Sequence, residues 1–322
     1  MNSSVLRTIA ASTIVATSFL SALIPFTAAT AATGQGIELS PALSEISARP
    51  GQSVTTTIRL RNVTNLPFVI TPHADDFVAK GDNGEPMILP DGELAPTYSM
   101  SRWVVSPGDI LLEPNIYKSV ALTINVTANA EPGGHYGVIR FSSDQSRGTE
   151  KTGVSISASV GSLILLSVSG KITQSLKYIS FVAGTGTGAS KFFENGPISF
   201  TQKVKNEGNI HEKIHGQVVI LDSKGNKVGG VDINEKGGNI LPGSTRTFHE
   251  SWKTNAIFGH YTATAHLAFA SGKTLESPII SFWIIPYKLI GFGILGLIVL
   301  FGLLKLIGSR YSFAIRKNSK QR

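Results

Sequence analysis

The string His211-Glu212-Lys213-Ile214-His215 matches the HExxH pattern of zinc proteases at every fixed position. In that chemistry two imidazoles hold the metal and the intervening carboxylate acts as general base, an arrangement that depends on a helix. Residues four apart on a helix share a face at about 6 Å, whereas on a strand they stand about 13 Å apart, too far to meet one zinc at about 2 Å from each nitrogen. The turn cluster Asn206-Glu207-Gly208-Asn209 precedes the string, and Gly216 with the alternating run Gln217 to Leu221 follows it. The expectation is therefore an extended segment in which His211 and His215 are not metal ligands.

Two further strings invite chemistry and fail on spacing. Gly184-Thr185-Gly186-Thr187-Gly188 has the composition of a phosphate loop but neither a Lys-Ser or Lys-Thr ending nor a following helical pattern, so it reads as a flexible loop. Asp75, Asp76, Asp82, Asn83 and Glu85 could hold calcium, yet they lack the spacing of a helix-loop-helix calcium site, and Asp82-Asn83-Gly84 reads as a tight turn. The chain has no Cys nucleophile and no Gly-x-Ser-x-Gly elbow. Catalytic residues, cofactor and metal are all expected to be none.

The elements around these strings are short and alternating. Ser53 to Leu60, Ser119 to Val126, Tyr136 to Phe141 and Val154 to Val160 are β-rich and separated by Pro, Gly, Asn and Asp clusters. Ile198 to Val204, Gly216 to Leu221, Ser244 to Trp252, Tyr261 to Phe269 and Pro278 to Trp283 repeat the grammar. The two halves also share landmarks: Gly134-His135-Tyr136 and Gly259-His260-Tyr261 each lead a strand, Pro114 and Pro242 each open a turn and strand, and Asn62 and Asn206 each end an early strand. The predicted fold class is all-β, two tandem immunoglobulin-like β-sandwiches followed by one transmembrane α-helix. In such sandwiches the ring of a late-strand Tyr tucks into the core at a corner, the reading given to Tyr136 and Tyr261.

The flanks carry the charge. The chain has 322 residues and a formal net charge of +8, but Arg7, Lys288, Lys305, Arg310, Arg316, Lys317, Lys320 and Arg322 lie outside residues 33–286, and neither flank contains an acid. The middle is neutral, which removes the electrostatic support for nucleic-acid binding. Arg7, the uncharged stretch Thr8 to Phe26 and the small residues at Ala28 to Ala32 have the layout of a secretory signal with an Ala-x-Ala site. From Ile284 to Ile307 the chain is apolar but for Lys288 and Lys305 near its ends, with Leu289 to Leu304 free of charge, and long enough at about 36 Å to cross a hydrocarbon core of about 30 Å. Trp283 and Tyr287 supply interfacial aromatics at one end, and the bases from Lys305 onward give the positive-inside signal at the other. An exported chain without cysteine points to a bacterial surface.

The expected organisation is a signal peptide over 1–32, a first sandwich over 33–170, a second over 171–283, a membrane helix over 284–307 and a basic cytoplasmic tail over 308–322. Localisation follows as a single-pass bacterial cell membrane protein with its N-terminal domains extracellular.

The chain resembles the WxL-interacting proteins of bacterial surfaces. The resemblance rests on Arg61-Asn62, the segment His73 to Phe77, Trp103, the string Glu131 to Phe141, the segment Asn206 to His211, Leu241 to Arg246, Phe258 to Tyr261 and Pro286 at the start of the membrane segment. It implies a first domain that binds cell-wall peptidoglycan, a second that binds surface proteins, and a membrane tether. The long Pro-rich connection from Met87 to Pro107 departs from the family's usual look. On this reading the protein is a non-catalytic membrane-anchored adaptor whose partners are wall glycan and surface proteins. His73, Asp75, Asp76, Tyr98 and Arg102 are the candidate ligand contacts, because they fall in stretches that read as irregular connections, where binding residues concentrate. Trp103 reads as core. A membrane-anchored chaperone or assembly factor that offers an edge strand to exported subunits is the alternative, and a zinc hydrolase is a third, disfavoured one.

Overall fold

The computed structural model describes residues 36–90, 92–95, 97–143, 159–185, 188–270 and 272–318, with side chains described as far as residue 307. The expected signal segment and residues 154–158 of one expected strand lie outside these.

The described residues between 36 and 168 form the first sandwich. Its strands are β1 (Ile37–Ser40), β2 (Leu43–Ala48), β3 (Ser53–Asn62), β4 (Phe68–Lys80), β5 (Glu85–Ile88), β6 (Val104–Val105), β7 (Ile110–Leu112), β8 (Tyr117–Asn125), β9 (Gly133–Ser143) and β10 (Ser159–Val168). One sheet runs β1-β3-β8-β6, and the other β2-β10-β9-β4-β5 with β7 on β4. The chain changes sheets at Pro41, so that β1 pairs antiparallel with β3 while β2 pairs parallel with β10.

The second sandwich comprises β11 (Leu176–Thr185), β12 (Gly188–Ala189), β13 (Phe192–Phe193), β14 (Ile198–Asn206), β15 (Glu212–Lys213), β16 (His215–Asp222), β17 (Lys227–Ile233), β18 (Asn239–Ile240), β19 (Thr245–Trp252), β20 (Gly259–Phe269), β21 (Lys273–Glu276) and β22 (Ile280–Ile284). Its sheets run β12-β11-β14-β19 and β13-β22-β20-β16-β17. The order β13-β22-β20-β16-β17 repeats β2-β10-β9-β4-β5 of the first sandwich, down to a parallel pair, β13 with β22, at one edge, and β11-β14-β19 repeats β1-β3-β8. The fold is two tandem immunoglobulin-like sandwiches.

Period-two burial makes both halves. In β3, Ile58, Leu60 and Asn62 face inward while Arg59 faces out; in β14, Ile198, Phe200, Gln202, Val204 and Asn206 are buried in strict alternation. Each sandwich closes over its own core, Ile58, Leu122, Phe141 and Leu166 in the first and Phe200, Val218, Ala265 and Phe282 in the second.

Asn62 and Asn206 are the corner devices. Each is fully buried. Nδ2 of Asn62 donates to the carbonyls of Leu66 and Leu112, and its Oδ1 accepts from the Thr64 amide. Nδ2 of Asn206 donates to Ile210 and Ile240, and its Oδ1 accepts from the Gly208 amide.

A helix α1 (Tyr287–Asn318) ends the fold. Its stretch Tyr287–Ile307 is long and apolar enough to cross a bilayer and has no residue buried within the protein, which fits a single-pass membrane anchor. The expected start at Ile284 is corrected to Tyr287. Ile284 is the last residue of β22, fully buried and paired with Gly259, and the Ile285 amide donates to the Phe193 carbonyl, so these groups belong to the sheet.

Candidate functional site

The outer face of β9 positions the centre of the site. Ile139 and Phe141 point into the first core, so the alternating residues Tyr136 and Val138 point away from it. With Phe77 and Leu165 they form a separate apolar cluster, against which Leu241 of the second sandwich and Tyr98 pack. The reading of Tyr136 as a corner residue of its own core is therefore corrected. Its ring lies between the two sandwiches, 5.7 Å from the His211 ring in edge-on geometry, with its hydroxyl 3.3 Å from His211 Nδ1. Tyr261 does what was expected, its ring in the core 5.7 Å from Trp252 and its hydroxyl near the Phe258 carbonyl.

Asp76 holds the loop that carries Tyr98. Its buried carboxylate accepts the amides of Ala95, Met100 and Ser101 at 2.8 to 3.0 Å. The Tyr136 amide in turn donates to the Tyr98 carbonyl at 2.8 Å, and the two rings lie 5.9 Å apart.

Polar contacts fasten the seam around this cluster. Nζ of Lys203 reaches Asp82 at 2.5 Å, and the Thr247 amide donates to the Asp82 carbonyl, which plants the β4–β5 turn on the second sandwich. Glu45 receives both Lys213 Nζ and Asn239 Nδ2 at 2.9 Å. The Gly134 amide donates to the Asn209 carbonyl at 2.8 Å, while Asn209 Nδ2 donates to Pro132 and Lys171. The hydrogen bond from Asn239 holds the Glu45 carboxyl below the usual carboxylate range. Burial lowers the His211 pKa and raises those of Tyr136 and Glu212.

Two clefts open along the seam and share Phe77, Ala79, Leu241, Ser244 and Thr245. The larger, about 680 Å³, adds Tyr98, Tyr136, Thr97 and Pro242. The smaller, about 240 Å³, adds Leu43, Pro86, Leu163 and, among polar groups, Asn239 and Arg246. Arg246 is half-buried; its Nη1 donates to the Asn239 carbonyl and its guanidinium sits 5.6 Å over the Phe248 ring. These walls offer apolar contact, ring faces and a few directed polar groups, the equipment of a binding site.

The sequence-predicted residues divide. His73, Asp75 and Asp76 lie on β4 rather than in an irregular connection, a correction that follows from the pairing of β4 with β9 through this stretch. Asp75 is buried and ion-paired with Arg140 at 3.0 Å. Tyr98 lies in a loop at the mouth of the larger cleft and Arg102 in a short 3-10 turn, Ser101–Trp103. Asp75 and Arg102, with Glu93 and Ser101, line a separate depression of about 190 Å³ on the first sandwich; His73 lines neither. Trp103 is partly buried against the first core, its ring 4.6 Å from His135. The HExxH string is extended: Glu212 and Lys213 form β15, and His215 opens β16. Glu212 and Ile214 are buried while Lys213 and His215 are exposed, so the string alternates as a strand does. Among the described residues no three His, Cys, Asp or Glu side chains gather as a metal cluster.

No family model matches the sequence, and no curated protein matches it. Solved structures do. The chain is similar to the class 5 fimbriae chaperone CfaA at 13% identity, covering 78% of this chain and 100% of that one with a TM-score of 0.40. It is similar to the Escherichia coli chaperone DraB at 13% identity, covering 77% and 97% with a TM-score of 0.37. It is also similar to the Pseudomonas aeruginosa CupB2 chaperone at 13% identity, covering 76% and 100% with a TM-score of 0.34.

Proposed function

We propose that the chain is a membrane-anchored, non-catalytic binding protein that receives an extended segment of an exported or surface protein in the cleft between its two sandwiches. The observation that carries this reading is the cleft of about 680 Å³ walled by both sandwiches, with the Tyr98 and Tyr136 rings and Leu241 supplying apolar contact. Open sheet edges and loop-lined seams bind extended peptides without acid-base apparatus. Such a role covers both an adaptor and an assembly factor, and it is the kind of partner that the resemblance to WxL-interacting proteins implies for the second sandwich. On this reading α1 is the tether, and the positive-inside rule supports an orientation with the two sandwiches outside and the basic C-terminal residues inside.

Site-specific photocrosslinking in the native host tests the reading. A benzophenone side chain at Thr97, Tyr98 or Pro242 is expected to trap a discrete protein partner, and one at Leu66, exposed elsewhere on the first sandwich, is expected not to. Equal yields at all four positions would overturn the cleft as the site.

A second reading has its own observation. The depression lined by Asp75, Glu93, Ser101 and Arg102 presents polar groups of both signs suited to sugar hydroxyls, and we propose it as the place where wall glycan would bind the first sandwich. Arg102→Ala is expected to weaken sedimentation of the full chain with purified peptidoglycan; unchanged sedimentation would overturn it.

A further inference from the structure

The registers of the second sandwich bring several loops to one end. Ile198 pairs with Trp252, Asp222 with Tyr261, and Gly259 with Ile284. The segments 190–197, 223–226 and 253–258 therefore meet at the end from which α1 departs. Only Ile285 and Pro286 separate β22 from the helix, so the apolar span begins within about 10 Å of the sheet. The step is not loose: Ile285 is hydrogen-bonded to Phe193, and Lys288 Nζ meets Glu194 at 2.6 Å.

This end exposes large apolar side chains that no core explains. Ile257 is 69% exposed, Phe258 65% and Phe192 64%, on two separate segments. Phe192 pairs with Trp283, and Phe258 immediately precedes Gly259, the partner of Ile284. Exposed lysines accompany them, Lys191 beside Phe192, Lys253 before the Ile257–Phe258 segment and Lys224 in the neighbouring turn. The acids nearby are engaged: Glu194 by Lys288, and Asp222 by the Lys224 and Asn226 amides of its own turn.

We propose that this end of the second sandwich is a membrane-seated surface, with Phe192, Ile257 and Phe258 inserted among the headgroups and upper acyl carbons of the bilayer that α1 enters, and Lys191, Lys224 and Lys253 toward anionic phosphates. The inference rests on the reading of α1 as a membrane span. Covalent continuity selects the occupant: a span starting within about 10 Å of the sheet cannot reach hydrocarbon without bringing this end to the headgroup layer. Aromatic and aliphatic side chains flanked by lysine are the residues that reside there. The second sandwich then stands in fixed relation to the membrane rather than swinging on a linker.

The absence of cysteine from the chain makes the test direct. Single variants Phe192→Cys, Ile257→Cys and Phe258→Cys in the full-length protein are spin-labelled and reconstituted into vesicles of phosphatidylglycerol and phosphatidylcholine. Collisions with oxygen and with a water-soluble nickel chelate are then compared. Leu66→Cys serves as the aqueous reference and Phe301→Cys as the hydrocarbon reference. The three test labels are expected to show oxygen-dominated collisions intermediate between the references. Lys191→Glu with Lys253→Glu is expected to move them toward water in these vesicles but not in phosphatidylcholine alone. Test labels that match Leu66 while Phe301 remains in hydrocarbon would overturn the proposal and leave the span intact. A Phe301 label in water would overturn the span, and the proposal with it.

Discussion

The Tyr136 hydroxyl lies 3.3 Å from His211 Nδ1 and so joins the two sandwiches. Burial lowers the His211 pKa from its ordinary value near 6.5, Glu45 opposing the shift and Lys213 adding to it. The unfolded or separated state therefore binds the proton more readily than the closed seam does. The seam is at full strength above about pH 6.5 and weakens as pH falls below that value toward the lower folded pKa. Glu45, held low by Asn239, adds a further loss only at more acidic pH, once it too takes a proton. The melting temperature of the full chain in detergent should drop between pH 7 and 5, and His211→Gln should flatten that drop. A His211→Gln profile that falls as steeply as the wild type's over this interval would sink the idea.

Glu212 works in the opposite sense. It is almost fully buried, among the described residues its Oε1 has no hydrogen-bond partner, and desolvation raises its pKa. A raised carboxyl favours the folded state below the unfolded pKa and loses that contribution as pH rises through the folded value. Glu212→Gln should therefore raise the melting temperature at pH 7 and change it little at pH 4. Destabilisation at pH 7 would mean that the ionised form is held by partners stronger than the Gln174 side chain and the Ala270 amide.

The sandwiches were legible because each strand buries one face, and β3 or β14 can be read by alternation alone. The C-terminal apolar helix was legible as a long run with no polar face. What misled was register. The repeated Gly-His-Tyr triplet suggests that Tyr136 matches Tyr261, yet the core faces are out of step: Tyr261 shares the core face of its strand with Ala263, Ala265 and Leu267, whereas Ile139 and Phe141 set the core face of β9 and turn Tyr136 to the outer one. A shift of one residue reverses every side chain on a strand, and no short motif reports it. The seam itself was invisible for a related reason: an outward Tyr136 beside Val138 looks like strand sequence until the second sandwich covers it. His73, Asp75 and Asp76 looked like a loop because polar residues interrupt the alternation, but Asp75 is polar to meet Arg140 and Asp76 to bind three amides.

Asn62 and Asn206 supply a prediction about the repeat. Removing the Asn206 side chain leaves the Ile210 and Ile240 carbonyls and the Gly208 amide without their partner in a dry corner. Asn206→Ala should cost about 3 kcal/mol, given about 1 to 3 kcal/mol for each buried polar group left unsatisfied, partly relieved by relaxation. Asn62→Ala should cost a similar amount in the other sandwich. Urea unfolding of the full chain in detergent measures both, and a loss below about 1 kcal/mol in either would show that water replaces the amide at little cost.

Gly133 tests whether the seam couples the two cores. Its φ of +135° lies where side chains are strained, and a Cβ there would stand within 2.4 Å of the Asn209 carbonyl oxygen. That oxygen accepts from the Gly134 amide, and the Asn209 side chain ties Pro132, Lys171 and Thr173 together, so displacing it loosens the junction at several points. Gly225 provides the comparison: its φ is +82° but among the described residues nothing stands within 4 Å of its Cβ position, so Gly225→Ala carries the backbone strain alone, about 1 kcal/mol. Gly133→Ala should cost clearly more than Gly225→Ala. It should also split one melting transition into two, because each sandwich retains its own core while the contact between them is lost. Calorimetry of the two variants decides the matter, and equal costs with a single transition in both would show that Asn209 is not the coupling residue.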